Sequence, residues 1–163
     1  PRGHSDDPRA PGRRSRRATM ILESERRAIV DTLVRYCTAI DTRAWHLLAD
    51  VFLPNARVDY RGAGGPMLSG AQAAEWLEEN MARFEVLQHF LSNVRVVQDG
   101  NEVRSHAYVL AVHGYKDDDG KMRFFDLGGE YSDRLVETSA GWRVSERVLR
   151  TRWLRGDIPG AVT

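Results

Sequence analysis

The second half of this chain is dominated by four long stretches, residues 87–98, 102–115, 122–136 and 142–153, in which apolar and polar side chains alternate. Only short turn chemistry separates them: Asp99-Gly100-Asn101, the run Asp117-Asp118-Asp119-Gly120, and Ser139-Ala140-Gly141. Alternation of this kind places every second side chain on one face of a strand, and connections this short force successive strands to run antiparallel. The pattern therefore predicts a four-stranded meander. Strands of this length twist and curl, which gives the sheet a concave side that other elements must cover.

Helical spacing supplies the cover. Over residues 23–40 the apolar positions Ile29, Leu33, Tyr36, Cys37 and Ile40 recur at intervals of three and four, which predicts an amphipathic helix. Residues 42–52 read as a second, shorter helix stopped by Pro54. Residues 56–61 alternate as a strand, Gly62, Gly64, Gly65 and Pro66 make a loop, and residues 71–84 form a third helix through Ala73, Leu77, Met81 and Phe84. Helices followed by strands define an α+β chain. The expected architecture is a curved antiparallel sheet with three N-terminal helices, forming a cone-shaped barrel with an interior pocket. Gly128-Gly129 has no glycine-rich nucleotide-loop spacing around it and predicts a bulge or bend in the third long strand.

Length and charge set the organisation. The chain has 163 residues, enough for a single core. Residues 1–19 hold six Arg, three Pro and two acids but almost nothing apolar, so they read as a disordered basic tail, a leader ahead of an alternative start at Met20. Residues 20–163 read as the folded domain, with a net charge of −3. An acidic domain lacks the electrostatic footprint of a nucleic-acid binder. No apolar run reaches the roughly 18 residues of a membrane span, and no secretory signal follows the arginines. One cysteine, Cys37, forms no internal disulfide, which fits a reducing, cytoplasmic setting.

Few residues could carry chemistry inside such a pocket. Alternation puts His89, Leu91 and Asn93 on one face of the first long strand and Val109, Ala111 and His113 on one face of the second. Asp41 ends the first helix, where a carboxylate faces the negative end of the helix dipole and so calls for another partner. If that helix crosses the sheet, Asp41 reaches His89, fixes its tautomer and leaves the other ring nitrogen to take a proton from a substrate. A hydrogen-bonded core histidine is the competing reading. His106 falls on the opposite face from His113 and no two-His-plus-carboxylate spacing occurs, so no metal site is expected. The aspartate run 117–119 lacks a calcium-loop ligand series and reads as a solvated turn. No nucleophile motif appears, and Cys37 lies on the apolar helix face.

The string Tyr36-Cys-Thr-Ala-Ile-Asp41, followed by Trp45, Phe52-Leu-Pro54, Val58-Asp-Tyr60, Gln88-His89-Phe90, Asn93, Gly128-Gly129-Glu-Tyr131 and Gly141-Trp142, resembles the SnoaL-like branch of the nuclear-transport-factor-2-like superfamily. The resemblance spans about residues 22–155 and is greatest to the group of scytalone dehydratase, bile-acid 7α-dehydratase and hexachlorocyclohexane dehydrochlorinase. It implies a curved α+β cone and a pocket Asp/His pair that works without metal or organic cofactor. Asp41 then matches the orienting aspartate and His89 the general base, while Tyr36 matches a catalytic tyrosine. Tyr60 and His113 match residues that hold a water against a substrate carbonyl, and Arg152 falls where the bile-acid enzyme has an arginine. Tyr131 and Asp133 stand where scytalone dehydratase has small polar residues, so the substrate is not carried across.

These features together lead us to expect a cofactor-independent lyase, a dehydratase acting on a cyclic, largely apolar molecule such as a polyketide or steroid-like compound. Catalysis would fall to Asp41, His89 and Tyr36, and substrate binding to Tyr60, Asn93, His113, Tyr131 and Arg152. An isomerase or cyclase using the same base, or a non-catalytic ligand-binding module, are the alternatives. A small-molecule substrate is the expected partner, with neither nucleic acid nor membrane, and the resemblance implies a homo-oligomer, trimer or dimer.

Overall fold

A computed structural model describes residues 21–157. The basic segment 1–19 lies outside them. The elements run α1 (Glu23–Asp41), a 3-10 helix (Trp45–Asp50), β1 (Phe52–Asp59), a single 3-10 turn (Arg61–Ala63), β2 (Met67–Ser69), α2 (Gly70–Met81), β3 (Val86–Asp99), β4 (Glu102–Lys116), β5 (Met122–Thr138) and β6 (Gly141–Arg155). One six-stranded sheet has the order β2-β1-β6-β5-β4-β3.

The meander β3–β6 forms as the turn spacing predicts, each strand antiparallel to the next. Two points of architecture differ from expectation. β1 pairs with β6 in parallel, which makes the sheet mixed. β1 precedes the meander and meets β6 only after three hairpins, so no tight turn fixes their relative direction. β2 and β3 remain as edges, so the curved sheet is unclosed instead of a barrel.

The expected helix over 42–52 is replaced by the six-residue 3-10 segment, because the chain turns sharply after α1 with Arg43 at φ 56°. β1 also begins earlier than expected and contains Pro54. The proline falls between Phe52 and Arg57, where the register to β6 shifts, so its missing N–H costs no regular ladder bond. β2, only three residues long, leaves no alternation to read.

The apolar stripe of α1 is buried as its spacing requires, with Ile29, Leu33 and Ile40 almost fully enclosed. α1 packs across β3 and β6, and α2 packs on β1 and the 3-10 helix. α2 starts with a reciprocal cap in which Ser69 Oγ accepts from Gln72 N at 3.3 Å and Gln72 Oε1 accepts from Ser69 N at 3.0 Å. Gly70 lets this helix start close to β1, since a Cβ there would lie 2.0 Å from the Leu53 carbonyl oxygen.

At Gly128/Gly129 the β5–β6 register shifts, as the paired glycines suggest, and a second shift occurs at Arg134/Leu135. Each changes which β6 side chains face inward, a point that decides the composition of the site.

Candidate active site

Under α1 and α2 the concave face of the sheet encloses a cavity of about 290 Å³, floored by Ala111, Leu127 and Leu149. Asp41 and His89 meet at its edge. The last residue of α1 accepts twice from the same residue of β3: Asp41 Oδ1 from His89 Nδ1 at 2.7 Å, and Asp41 Oδ2 from the His89 backbone N–H at 2.9 Å. Two donors from a neighbouring strand compensate a carboxylate at the unfavourable end of the helix dipole. Because the carboxylate only accepts, the neutral imidazole carries its proton on Nδ1, leaving the Nε2 lone pair unused by the pair.

Arg43, two residues further on, donates to the carbonyls of Met81, at 3.2 Å, and of Phe84. It ties the end of α1 to the exit of α2, where Met81 and Phe84 both line the cavity.

His113 lies diagonally across from His89 on β4, with ring centroids 5.9 Å apart and nearly perpendicular. Its Nδ1 donates to the Phe125 carbonyl at 3.2 Å, so Nε2 is the acceptor. Burial, reinforced by the neighbouring His89, pushes its pKa down to about 4, and His113 is neutral near pH 7.

Tyrosines line the cavity beside the Asp41–His89 pair, with the Tyr36 ring edge-on to His89 at 6.4 Å between centroids. Tyr36 from α1 and Tyr60, which follows β1, hydrogen-bond through their hydroxyls at 2.9 Å, and Tyr131 from β5 packs edge-on against Tyr36 at 5.7 Å. Trp76 of α2 stacks on Tyr60 at 5.5 Å. Burial raises all three phenol pKa values, so each hydroxyl remains protonated and able to donate. Only one hydroxyl of the Tyr36–Tyr60 pair is used up donating to the other, which leaves the second proton for a ligand.

Asp41, His89, Tyr36, Tyr60, His113 and Tyr131 are thus brought together; Asn93 and Arg152 are not. Asn93 has φ 52° in the stretch where β3–β4 pairing is irregular, which breaks the alternation from His89 and leaves it exposed. Arg152 lies on the outer face, where it donates to Glu130 Oε2 at 3.0 Å beside His106 at 3.1 Å. Arg152 is the residue left unpaired between Thr151 and Trp153 at the Gly128/Gly129 shift.

The residue that sequence reasoning missed is Arg147. It is fully buried, makes two parallel bonds to Asp133 at 2.8 Å each, and lies over the rings of Tyr36 and Tyr131 at 4.3 and 4.2 Å. Asp133 was detectable as a charge on the inward face of β5, two residues from Tyr131. Its partner was hidden by the register shift at Arg134/Leu135.

Cys37 is buried, with burial raising its thiol pKa to about 12, and it offers no nucleophile near pH 7. Among the described residues no three His, Cys, Asp or Glu side chains gather as metal ligands, and no helix is long and apolar enough to cross a membrane.

The same arrangement of helices and curved sheet recurs in known proteins. Rv2910c, an uncharacterized protein of Mycobacterium tuberculosis, is 34% identical over 125 residues, covering 77% of this chain and 84% of that protein. A candidate aromatic ring hydroxylase from Novosphingobium aromaticivorans superposes with a TM-score of 0.74 at 26% identity, over 85% of this chain and 96% of that one. A candidate scytalone dehydratase from the same organism superposes with a TM-score of 0.70 at 25% identity, over 86% and 96% of the two chains. The profile of the SnoaL-like domain matches residues 23–148. With the fold, the motif residues and this match in agreement, the chain belongs to the SnoaL-like domain family of the nuclear-transport-factor-2-like superfamily.

Proposed function

We propose that this protein is a cofactor-independent lyase that eliminates water from a cyclic, largely apolar small molecule, with His89 as general base and Asp41 as its orienter. The observation that carries the reading is the two-point Asp41–His89 contact at the edge of a cavity that Tyr36, Tyr60 and Tyr131 also line. A histidine fixed through Nδ1 presents Nε2 to a bound molecule, and a positioned base of this kind contributes about 10²- to 10⁴-fold to proton transfer.

His89 Nε2 takes a proton from the carbon beside a carbonyl. The free hydroxyl of the Tyr36–Tyr60 pair donates to the carbonyl oxygen as negative charge gathers there. The bond from the next carbon to its hydroxyl then breaks, a carbon–carbon double bond forms, and the proton held by His89 leaves with the hydroxyl as water. Neutral His113 does not supply that proton, because its one N–H is held by the Phe125 carbonyl; its Nε2 accepts from the hydroxyl and orients it. Similarity to a candidate scytalone dehydratase supports the reading at the level of the enzyme family.

The test is a panel of cyclic β-hydroxyketones followed by mass spectrometry. A product lighter by the mass of water, lost in His89→Ala, supports the lyase. A product of unchanged mass assigns the same base to isomerisation or cyclisation. A ligand that is bound but unaltered by the native protein overturns catalysis and leaves a binding module.

A further inference from the structure

We infer that Arg147 is a positioning residue for the phenolic wall: with Asp133 it forms a buried charge pair whose cationic end, over the Tyr36 ring, strengthens the hydrogen-bonded Tyr36–Tyr60 hydroxyl pair as a donor to an oxyanion of a cyclic ligand. The inference rests on the proposed lyase reading, in which that wall holds a developing negative oxygen.

Arg147 is fully buried yet does not line the cavity, so it has no direct contact with a ligand. Its Nε and one terminal nitrogen are satisfied by Asp133, while Nη1 has no hydrogen-bond acceptor. The ring faces of Tyr36 and Tyr131 are the electron-rich groups at hand, with Phe52 further away at 5.5 Å. A cation over a phenol ring stabilises electron density on that ring, so the hydroxyl releases its proton more readily and donates a stronger hydrogen bond. Burial favours loss of the Arg147 charge, and Asp133 outweighs it, so the cation persists. It also opposes the burial that raises the pKa of all three phenols. An apolar pair of similar volume would fill this space at little cost to stability, whereas this pair places charge behind the one wall of the cavity made of hydroxyls.

The probe is 4-nitrophenol, whose neutral and anionic forms are distinguished by absorbance, with nitrobenzene as an uncharged control for the cavity. The measured quantity is the ratio of affinities for phenolate and phenol. Replacing both partners, Arg147→Met with Asp133→Leu, should lower this ratio roughly tenfold, the worth of a desolvated cation over a ring, while nitrobenzene binding is unchanged. Asp133→Asn removes the opposing anion and should shift the ratio the other way, toward phenolate. A merely structural pair would lower it in both. Should the double variant fail to fold, the sign of Asp133→Asn decides; should Asp133→Asn fail, the double variant supports the charge role if nitrobenzene binding is unchanged and overturns it if nitrobenzene is weakened along with phenolate.

Loss of phenolate preference in Tyr36→Phe with Tyr60→Phe, without any change on altering Arg147 or Asp133, overturns the role of Arg147 and keeps the phenolic wall. No effect of the tyrosines, or no phenolate binding by the native protein, overturns both. The mass-shift assay separately decides whether His89 is a base.

Discussion

Acid should weaken the fold through His113, and the size of the effect follows from its surroundings. The imidazole is enclosed by Phe84 at 4.8 Å and Phe125 at 5.5 Å, and its pKa falls from 6.5 to about 4. A base whose folded pKa is depressed binds protons more readily when unfolded, so its contribution is complete above the unfolded value and is lost as pH drops toward the folded one. Between roughly pH 7 and pH 5 the linkage relation gives a loss of about 2 kcal/mol from this one side chain. Asp59, whose pKa the Arg61 guanidinium and backbone lower to about 2, and Glu130, lowered by Arg152, act in the opposite part of the scale. Their contributions disappear mainly below pH 4.5, outside this window. The assay is urea unfolding followed by tryptophan fluorescence at several pH values, for the native protein and for His113→Phe. The variant should be nearly flat over the window where the native protein slopes. Equal slopes would refute the assignment of a neutral, buried His113.

His89→Ala and Asp41→Asn should each lower turnover on the substrate found by mass shift by about 10²- to 10⁴-fold, and the double variant should be little worse than the worse single, because base and orienter act as one unit. Independent, multiplying losses in steady-state kinetics would show that they do not. Tyr36→Phe keeps the ring between Phe52 and Tyr131 and removes only the hydroxyl, so melting temperature should change little while turnover falls; an unaltered rate would remove it from the oxyanion site. Gly70→Ala drives a methyl into the Leu53 carbonyl and should cost about 1–3 kcal/mol in denaturant unfolding, since backbone cannot move aside as a side chain does. Turnover should also survive exhaustive chelation; activity restored only by an added metal would refute the cofactor-free mechanism.

The residues explain which parts of the molecule could be read from sequence. α1 and the four-stranded meander were legible because one physical period dominates each for a dozen residues or more. The Asp41–His89 meeting was legible for a more particular reason: a carboxylate at the wrong end of a helix needs donors, and an inward histidine on a facing strand supplies them. Where a period is interrupted, reasoning by parity fails. Asn93 lies past an irregularity in β3 and Arg147 past a shift on β5–β6, so counting by twos sends the asparagine inward and conceals the arginine, while Arg152 is placed by family resemblance and not by any period of the strand. The parallel β1–β6 pairing, unlike a hairpin, leaves no local turn signal at all.

His89 belongs to β3, which has a strand neighbour on one side only, whereas Tyr131 and Arg147 belong to interior strands and Tyr36 to the helix packed over them. The two halves of the proposed chemistry therefore sit on strands with unequal hydrogen-bonded support, and α1, which carries both Asp41 and Tyr36, joins them. Substitutions along the free margin of β3 would act first on where a proton is collected and would reach the place where charge is received only through α1 and the Tyr36–His89 ring contact. Conversely, a change beneath the tyrosines must be absorbed by strands locked on both flanks. An engineer seeking altered regiochemistry would begin at the margin, and one seeking altered ligand acidity at the centre.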